Sequence, residues 1–511
     1  MSIDKLVVTH HGALTRKYGT AGVQRITKAL RTLITADKRR GLITAVVHLD
    51  MAADMTGAGQ AVGAVADAKA CKQAIDRLCK AHDPHYVMLL GGPDIVPMMP
   101  VRNPAWSEKD GDGDQVVPTD LPYACDTAYS TNPNRFLGPT RVVGRLPDII
   151  GNTDSSLLAQ LITAAARAEP RAPEDYQSGF SITAQAWQGS TELSLKNILG
   201  TTDALHSVPP EGPAWSKGQL SARVHFINCH GADASSQYFG QPPGVEEFPV
   251  AHDAKRLRDR VSAGTVVAAE CCYGAQLYDP KDAGGQHGIA LAYLLDGASA
   301  FFGSSTIAYG PSEGNASADL ICQFFLQQVL SGASTGRAAL EARQKFAGAR
   351  THLDPYDLKT LMQFYLLGDP SLHPVSTSGH ALTRTDAFKK AFAKTRDRSV
   401  RGLRREKLIR EGSHLAKAMP ALEPIDTAPS TSVAKTLAAM AKETGLAPSQ
   451  QTRMSFAVQP TAKTKPSTRQ VHVIKGPVPQ GTNAAGVVRI VAIVATEDDG
   501  ELLHVRRLHA R

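Results

Sequence analysis

The chain has no run approaching the roughly 18 apolar residues that span a membrane. Its N-terminus, MSIDKLVVTHHGALTRKYG, lacks an apolar stretch of signal-peptide length. Cysteine is sparse and irregular: there are seven, and no C-x-x-C pair. That pattern argues against a zinc ribbon and against a disulfide framework. Together these absences point to a reducing, cytoplasmic setting with free thiols, and to no membrane partner. No internal repeat is visible.

What is present is a soluble, globular composition. Hydrophobic residues are 42% and charged residues 20% of the 511, too long a chain for one ordinary core, so two or three domains are expected. The net charge of +8 is uneven, with eleven Lys/Arg against three Asp/Glu between Arg384 and Arg410. Such a run is usually a solvated helical face. It also suits a regulatory protein partner bound through residues 384–511, or nucleic acid as an alternative.

Short apolar runs alternate with helical patterns in the first three quarters. Leu42–Leu49 and Tyr86–Leu90 read as buried strands around a helical segment, Ala64–Ala81. This β-α-β rhythm argues for a parallel sheet. Ser155–Arg167 reads as an amphipathic helix capped by Asp154 or Ser155. Phe180–Trp187, Val224–Asn228, Thr265–Ala269 and Ala298–Ser304 read as further strands. The polar loop 103–118 carries Asp110, Asp112 and Asp114 in alternation. That spacing can ligate calcium, although the glycine and distal glutamate of an EF-hand are missing; a plain acidic turn is the other reading. No cofactor is otherwise called for. Beyond 376 come a basic helical stretch, polar linkers at Pro420–Ser432 and up to Arg469, and two runs about Glu497–Gly500 that read as a β-hairpin. The organisation expected is an N-terminal α/β subdomain (1–150), a catalytic α/β subdomain (151–376) and a small α+β region (377–511).

Two strand ends carry reactive residues. VHFINCHG places His230 and Gly231 past one apolar run, and TVVAAECCYG places Cys271 and Cys272 past another. Carboxyl ends of parallel strands share one edge, so residues just beyond them face a common crevice. A thiolate is the nucleophile, and a nearby imidazole favours it or protonates a leaving amine. The N–H of Gly231, with that of the cysteine, can hold an oxyanion. Either residue alone reads as structural, a hydrogen-bonded histidine or a small apolar filler.

At these residues the chain resembles the gingipain family of cysteine peptidases, in the clan that also holds caspases, legumains and metacaspases. The pieces stand in family order: LLGGPDIVP (89–97), TDLPYACD (119–126), VVGRLP (142–147), CHG (229–231), ECCYG (270–274), GSSTIAYG (303–310) and FYLLGDPSL (364–372). The resemblance covers roughly residues 40–375. It implies a caspase/gingipain-like fold, a mostly parallel sheet flanked by helices in two side-by-side subdomains. It implies a cysteine endopeptidase acting on protein or peptide substrates through a Cys–His dyad that includes His230; with the leader and pro-segment of secreted gingipains not evident, an intracellular relative regulated through its C-terminal region or a partner is expected. A glycine three residues after the nucleophile, as in gingipains, selects Cys271, and the gingipain-like flanking motifs make Cys271 the expected nucleophile; a glycine two after, as in caspases, leaves Cys272 as the alternative. The family's acid near the histidine is replaced in AWQGSTELS (186–194) by Trp187 and Gln188, leaving Glu192 as the local acid to receive a P1 side chain. The missing acid also admits a binding or scaffold protein on a retired peptidase fold.

Overall fold

The computed structural model describes residues 3–63, 67–108, 112–376, 387–461, 468–478 and 486–511, with the backbone alone for 387–399. Ten strands form one sheet in the order Thr44–His48, Lys5–Thr9, Tyr86–Leu90, Val143–Leu146, Phe364–Gly368, Ala300–Ser304, Val266–Ala269, Val224–Asn228, Gly179–Ala184, Leu205–Val208. Every neighbouring pair is parallel except Ala300–Ser304 with Phe364–Gly368, where Phe302 faces Leu366. Helices flank this sheet, so the strands are buried on both faces, and the apolar runs YVMLL, VHFIN and VVAA suit that burial. The fold is a mixed α/β architecture built on a large, mostly parallel sheet. No helix among the described residues is long and apolar enough to cross a membrane.

Two buried cations fasten distant segments together. Arg145 of VVGRLP grips Asp120 of TDLPYACD through Nε at 2.8 Å and Nη2 at 2.6 Å. Its Nη1 donates to the Gly91 and Val96 carbonyls of LLGGPDIVP, both at 2.8 Å. One guanidinium therefore clasps three distant segments. Lys5, fully buried, bonds Asp37 at 2.9 Å and also Asp369 of the LGDPSL turn.

Residues beyond 387 form a helix, Ala387–Ala418, and a second sheet. The helix packs on Thr335–Gly348, and Leu408 is buried with Leu42, Tyr86, Val142 and Leu340. The second sheet is antiparallel in the order Tyr309–Gly310, Glu501–Ala510, Ile490–Asp498, Gln470–Pro477, Thr452–Val458, Leu422–Ile425. Its outer face carries the helix Thr431–Glu443, through Val433, Leu437 and Ala441. Its inner face packs Val473, Val494 and Leu508 against Ile307, Tyr309 and Tyr356 of the main body.

The expected hairpin is present, with Asp498 opposite Glu501. Other expectations need correction. Thr44–His48 is a half-buried outermost strand rather than a buried one, because only one neighbour pairs with it. The polar linkers contain the strands Leu422–Ile425 and Thr452–Val458, which keep one polar face toward solvent. Gln470–Pro477 is an interior strand that carries polar residues with partners inside: His472 Nδ1 bonds Ser455 Oγ at 2.8 Å and Lys475 donates to the Ala105 carbonyl. The segment expected as a helix from Ala64 is helical over Ala68–His82, and 64–66 lie outside the described residues.

Candidate active site

Val224–Asn228 and Val266–Ala269 are adjacent and parallel, with Ile227 opposite Ala269. Cys229–His230 and Glu270–Cys271–Cys272 therefore leave the sheet at one edge, as the strand-end argument requires. Gly179–Ala184 and Ala300–Ser304 flank this pair on either side and deliver Trp187 and the segment Ser304–Gly310 to the same edge. Gly231 runs so close to the Cys272 carbonyl that a Cβ there would collide with it, so glycine is required.

The two adjacent thiols part company. Cys271 lies in the main core, and Ser304 Oγ pins its carbonyl at 2.7 Å. Cys272 belongs to the cluster of Ile307, Tyr309 and Tyr356, with its Sγ 3.6 Å from the Ala308 carbonyl. Burial pushes the Cys272 thiol up to about 12 and the Cys271 thiol well above its ordinary value. The Cys272 N–H donates at 3.0 Å to the Arg511 carbonyl oxygen, and the Gly231 N–H donates to the same oxygen at 3.3 Å.

His230 Nε2 bonds Gln241 Oε1 at 2.8 Å, while Gln241 Nε2 donates to the Val245 carbonyl at 3.0 Å. The amide oxygen thus faces the ring, so Nε2 carries the proton and Nδ1 is the free nitrogen. Nδ1 is buried and has no hydrogen-bond partner among the described residues. Trp187 packs on the ring with centroids 4.2 Å apart, and Phe248 meets it edge-on at 5.0 Å. Burial lowers the His230 pKa to about 3; Gln241 works against this, and the positive charges of Arg489 and Arg511 add to it.

Arg511 is fully buried beside these groups. Its Nη2 bonds Asp319 at 2.8 and 3.1 Å, the Pro311 carbonyl at 2.7 Å and Ser190 Oγ at 3.5 Å. Its guanidinium lies 4.4 Å over the Trp187 ring. Its N–H donates to the Ala308 carbonyl at 2.9 Å. Asp319 is fully buried in the first turn of the helix Ser317–Leu330. Glu270, also fully buried, sits beside it; burial first and the Asp319 charge second raise the Glu270 carboxyl well above its usual range. Of the two carboxyls, Asp319 is the one that bonds the guanidinium. Gly310 borders the pocket, and any side chain there would run into Arg511 and Asp319.

From the sequence expectations, the structure sets Gly231 and Cys272 side by side through their backbones and packs Trp187 on the ring of His230, next to Gly231. It does not bring Glu192 or Gln188 to Arg511: Gln188 Nε2 bonds Glu192 at 2.9 Å, Lys196 lies 4.0 Å from Glu192, and Ser207 bonds Gln188 at 2.8 Å. Both sit on the helix Gln188–Leu199, which starts just after Trp187 and carries their side chains to its outer side. Asp112 and Asp114 face the Lys359 ammonium at 3.2 and 3.6 Å, and Asp110 lies outside the described residues. Among the described residues no group of three or more His, Cys, Asp or Glu is placed to hold a metal ion. All seven cysteines are buried free thiols. Sequence reasoning missed Gln241 and Asp319. A usable signal for Asp319 was its isolation as the one acid in the apolar helix SADLICQFFLQQVL; Gln241 gave none.

Residues 218–375 match the model of Peptidase family C25. The matched stretch contains His230, Gly231, Cys271, Cys272 and Asp319, and supports a cysteine peptidase. No curated protein matches the chain. Among solved structures, one described as "Structure of Protease" is 14% identical, with 99% of this chain and 97% of that chain covered and a TM-score of 0.45. Two structures of the Saccharomyces cerevisiae separase–securin complex are 13% and 12% identical, with TM-scores of 0.31 and 0.29. They cover 58% and 45% of this chain, and 17% and 14% of those chains.

Proposed function

We propose that the chain is a cysteine endopeptidase that cleaves after arginine, with Cys272 as nucleophile and His230 as its acid–base partner. One observation carries this reading. A carbonyl oxygen, that of Arg511, accepts from both Gly231 N–H and Cys272 N–H, while its side chain is paired with Asp319. Two converging N–H donors are what the oxyanion of a tetrahedral intermediate needs. The nucleophile's own N–H is one of them, which favours Cys272 over Cys271.

In this reading a substrate arginine lies as Arg511 lies. The free Nδ1 of His230 takes the Cys272 thiol proton as sulfur attacks the carbonyl carbon. The oxyanion is held by the two N–H groups. The imidazolium then protonates the leaving amine, and water releases the acyl group from the thioester. Gln241 supports the histidine as an orienter, in place of an acid. The seven free thiols suit a reducing compartment. A second reading, a retired scaffold, is favoured by the complete burial of both reacting groups, and the same experiment separates the two.

Peptides with arginine, lysine or aspartate before a fluorogenic leaving group test the reading. Each variant is assayed with and without Arg511→Glu, because Arg511 fills the pocket. Arginine should be preferred. Cys272→Ala and His230→Ala should lose activity by about a thousandfold or more, while Cys271→Ala should stay within about tenfold of the parent. Loss confined to Cys271→Ala would sink the Cys272 assignment. No cysteine-dependent cleavage in any background would leave the scaffold.

A further inference from the structure

The terminal strand lies across the site as a peptide ligand would. Ala510 pairs with Tyr309 and His509 with Gly310 in antiparallel register, and the Arg511 N–H extends the ladder to Ala308. The strand cannot wander, because its other edge pairs with Ile490–Asp498 along its length. Arg506, farther up the strand, is locked to the body through Asp354 at 3.0 Å and Asp357 at 2.9 Å. Leu508 and Ala510 are buried against the main body. Recognition by strand addition uses the same backbone groups for any extended peptide, so two occupants are mutually exclusive.

We propose that the C-terminal sheet is a tethered competitive inhibitor of this site, holding His509, Ala510 and Arg511 along Tyr309–Gly310 where a substrate's residues would lie. This rests on the peptidase reading above. A tethered ligand acts at an effective concentration in the millimolar range, so peptides of ordinary affinity compete poorly with it. Both groups lie buried in this docked arrangement, and burial raises the Cys272 thiol to about 12 and lowers the His230 imidazole to about 3. Activity then requires the terminal strand to leave Tyr309–Gly310, and a partner that captured the C-terminal sheet would switch the enzyme on.

The test compares the natural chain with two variants, Arg511→Glu and deletion of 509–511. Arg511→Glu sets a negative charge against Asp319; the deletion removes the occupant outright. Each is assayed on an arginyl fluorogenic peptide and labelled with a biotinylated arginyl chloromethylketone. Both variants should cleave and label at least tenfold faster than the natural chain. Added peptide ending in His-Ala-Arg should inhibit the variants competitively and the natural chain hardly at all. Equal rates in all three, with Cys272→Ala abolishing every one, would overturn the inhibitor and leave the peptidase standing. Folded variants that neither cleave nor label, as judged by an unchanged melting transition, would overturn both.

Discussion

At the scale of single residues the site works through what is charged and what is kept neutral. Asp319 and Glu270 share the floor of one pocket, yet only Asp319 touches the guanidinium. Their removal should differ accordingly. Asp319→Asn should lower kcat/KM for arginyl peptides by about 30-fold or more, as loss of a buried charge partner costs about 2–5 kcal/mol. Glu270→Gln should leave arginine selection within a few-fold, since the carboxyl it replaces makes no hydrogen bond to the guanidinium. The same substitution should affect stability. An acid whose folded pKa is raised binds its proton more tightly folded than unfolded, so its contribution weakens as pH rises above about 4.3, the unfolded value. Glu270→Gln should therefore raise the denaturant midpoint at pH 7 and lose that advantage near pH 4. Equal effects of the two substitutions on arginine selection would contradict this division of roles.

At the scale of elements, the sequence was legible where a strand is buried on both sides. YVMLL, VVAA and VHFIN are continuous apolar runs because the parallel sheet gives them no wet face. It was opaque where burial is mixed: QVHVIKGP conceals an interior strand behind His472 and Lys475. The strand ends announced His230, Gly231 and the cysteine pair, since reactive types follow the apolar runs directly. Spacing pointed to Cys271, whereas the backbone N–H that meets the Arg511 oxygen is that of Cys272, a matter of the local turn that spacing does not encode. Gln241 was likewise invisible, being brought to His230 by a loop. The basic stretch illustrates a partial reading. It is a helix, but its buried Leu408 is already matched by Leu42, Tyr86, Val142 and Leu340, while Leu403 is 67% exposed. Leu408→Ala should therefore cost about 2–5 kcal/mol, and Leu403→Ala less than about 0.5 kcal/mol, by chemical denaturation. A partner-binding role for this helix falls to its outward side chains, such as Leu403.

At the scale of the whole molecule, the main sheet and the C-terminal sheet meet at the cleft, so the state of the site and the docking of the second sheet are one question. Burial holds several histidines neutral: His225 at about 4, and His230, His252 and His509 at about 3. A histidine with a lowered folded pKa gives full stability above its unfolded value of about 6.5 and loses it as pH falls toward the folded value, because the unfolded chain takes up the proton first. Each contributes about 1.4 kcal/mol per pH unit in that window. The denaturant midpoint should drop steeply between pH 6.5 and 4, and His509 and His230 tie part of that loss to the docked terminal strand. A midpoint flat across that range would show these rings to be charged or exposed in the folded state.

Cys272, rather than Cys271, is expected to meet an arginyl carbonyl in the cleft beside His230. Peptide mapping of the chain carrying Arg511→Glu after reaction with an arginyl chloromethylketone tests this most directly. The expected result is a single adduct on Cys272, kept in Cys271→Ala and lost in His230→Ala. An adduct on Cys271, or one spread over the seven thiols without dependence on His230, would contradict the account.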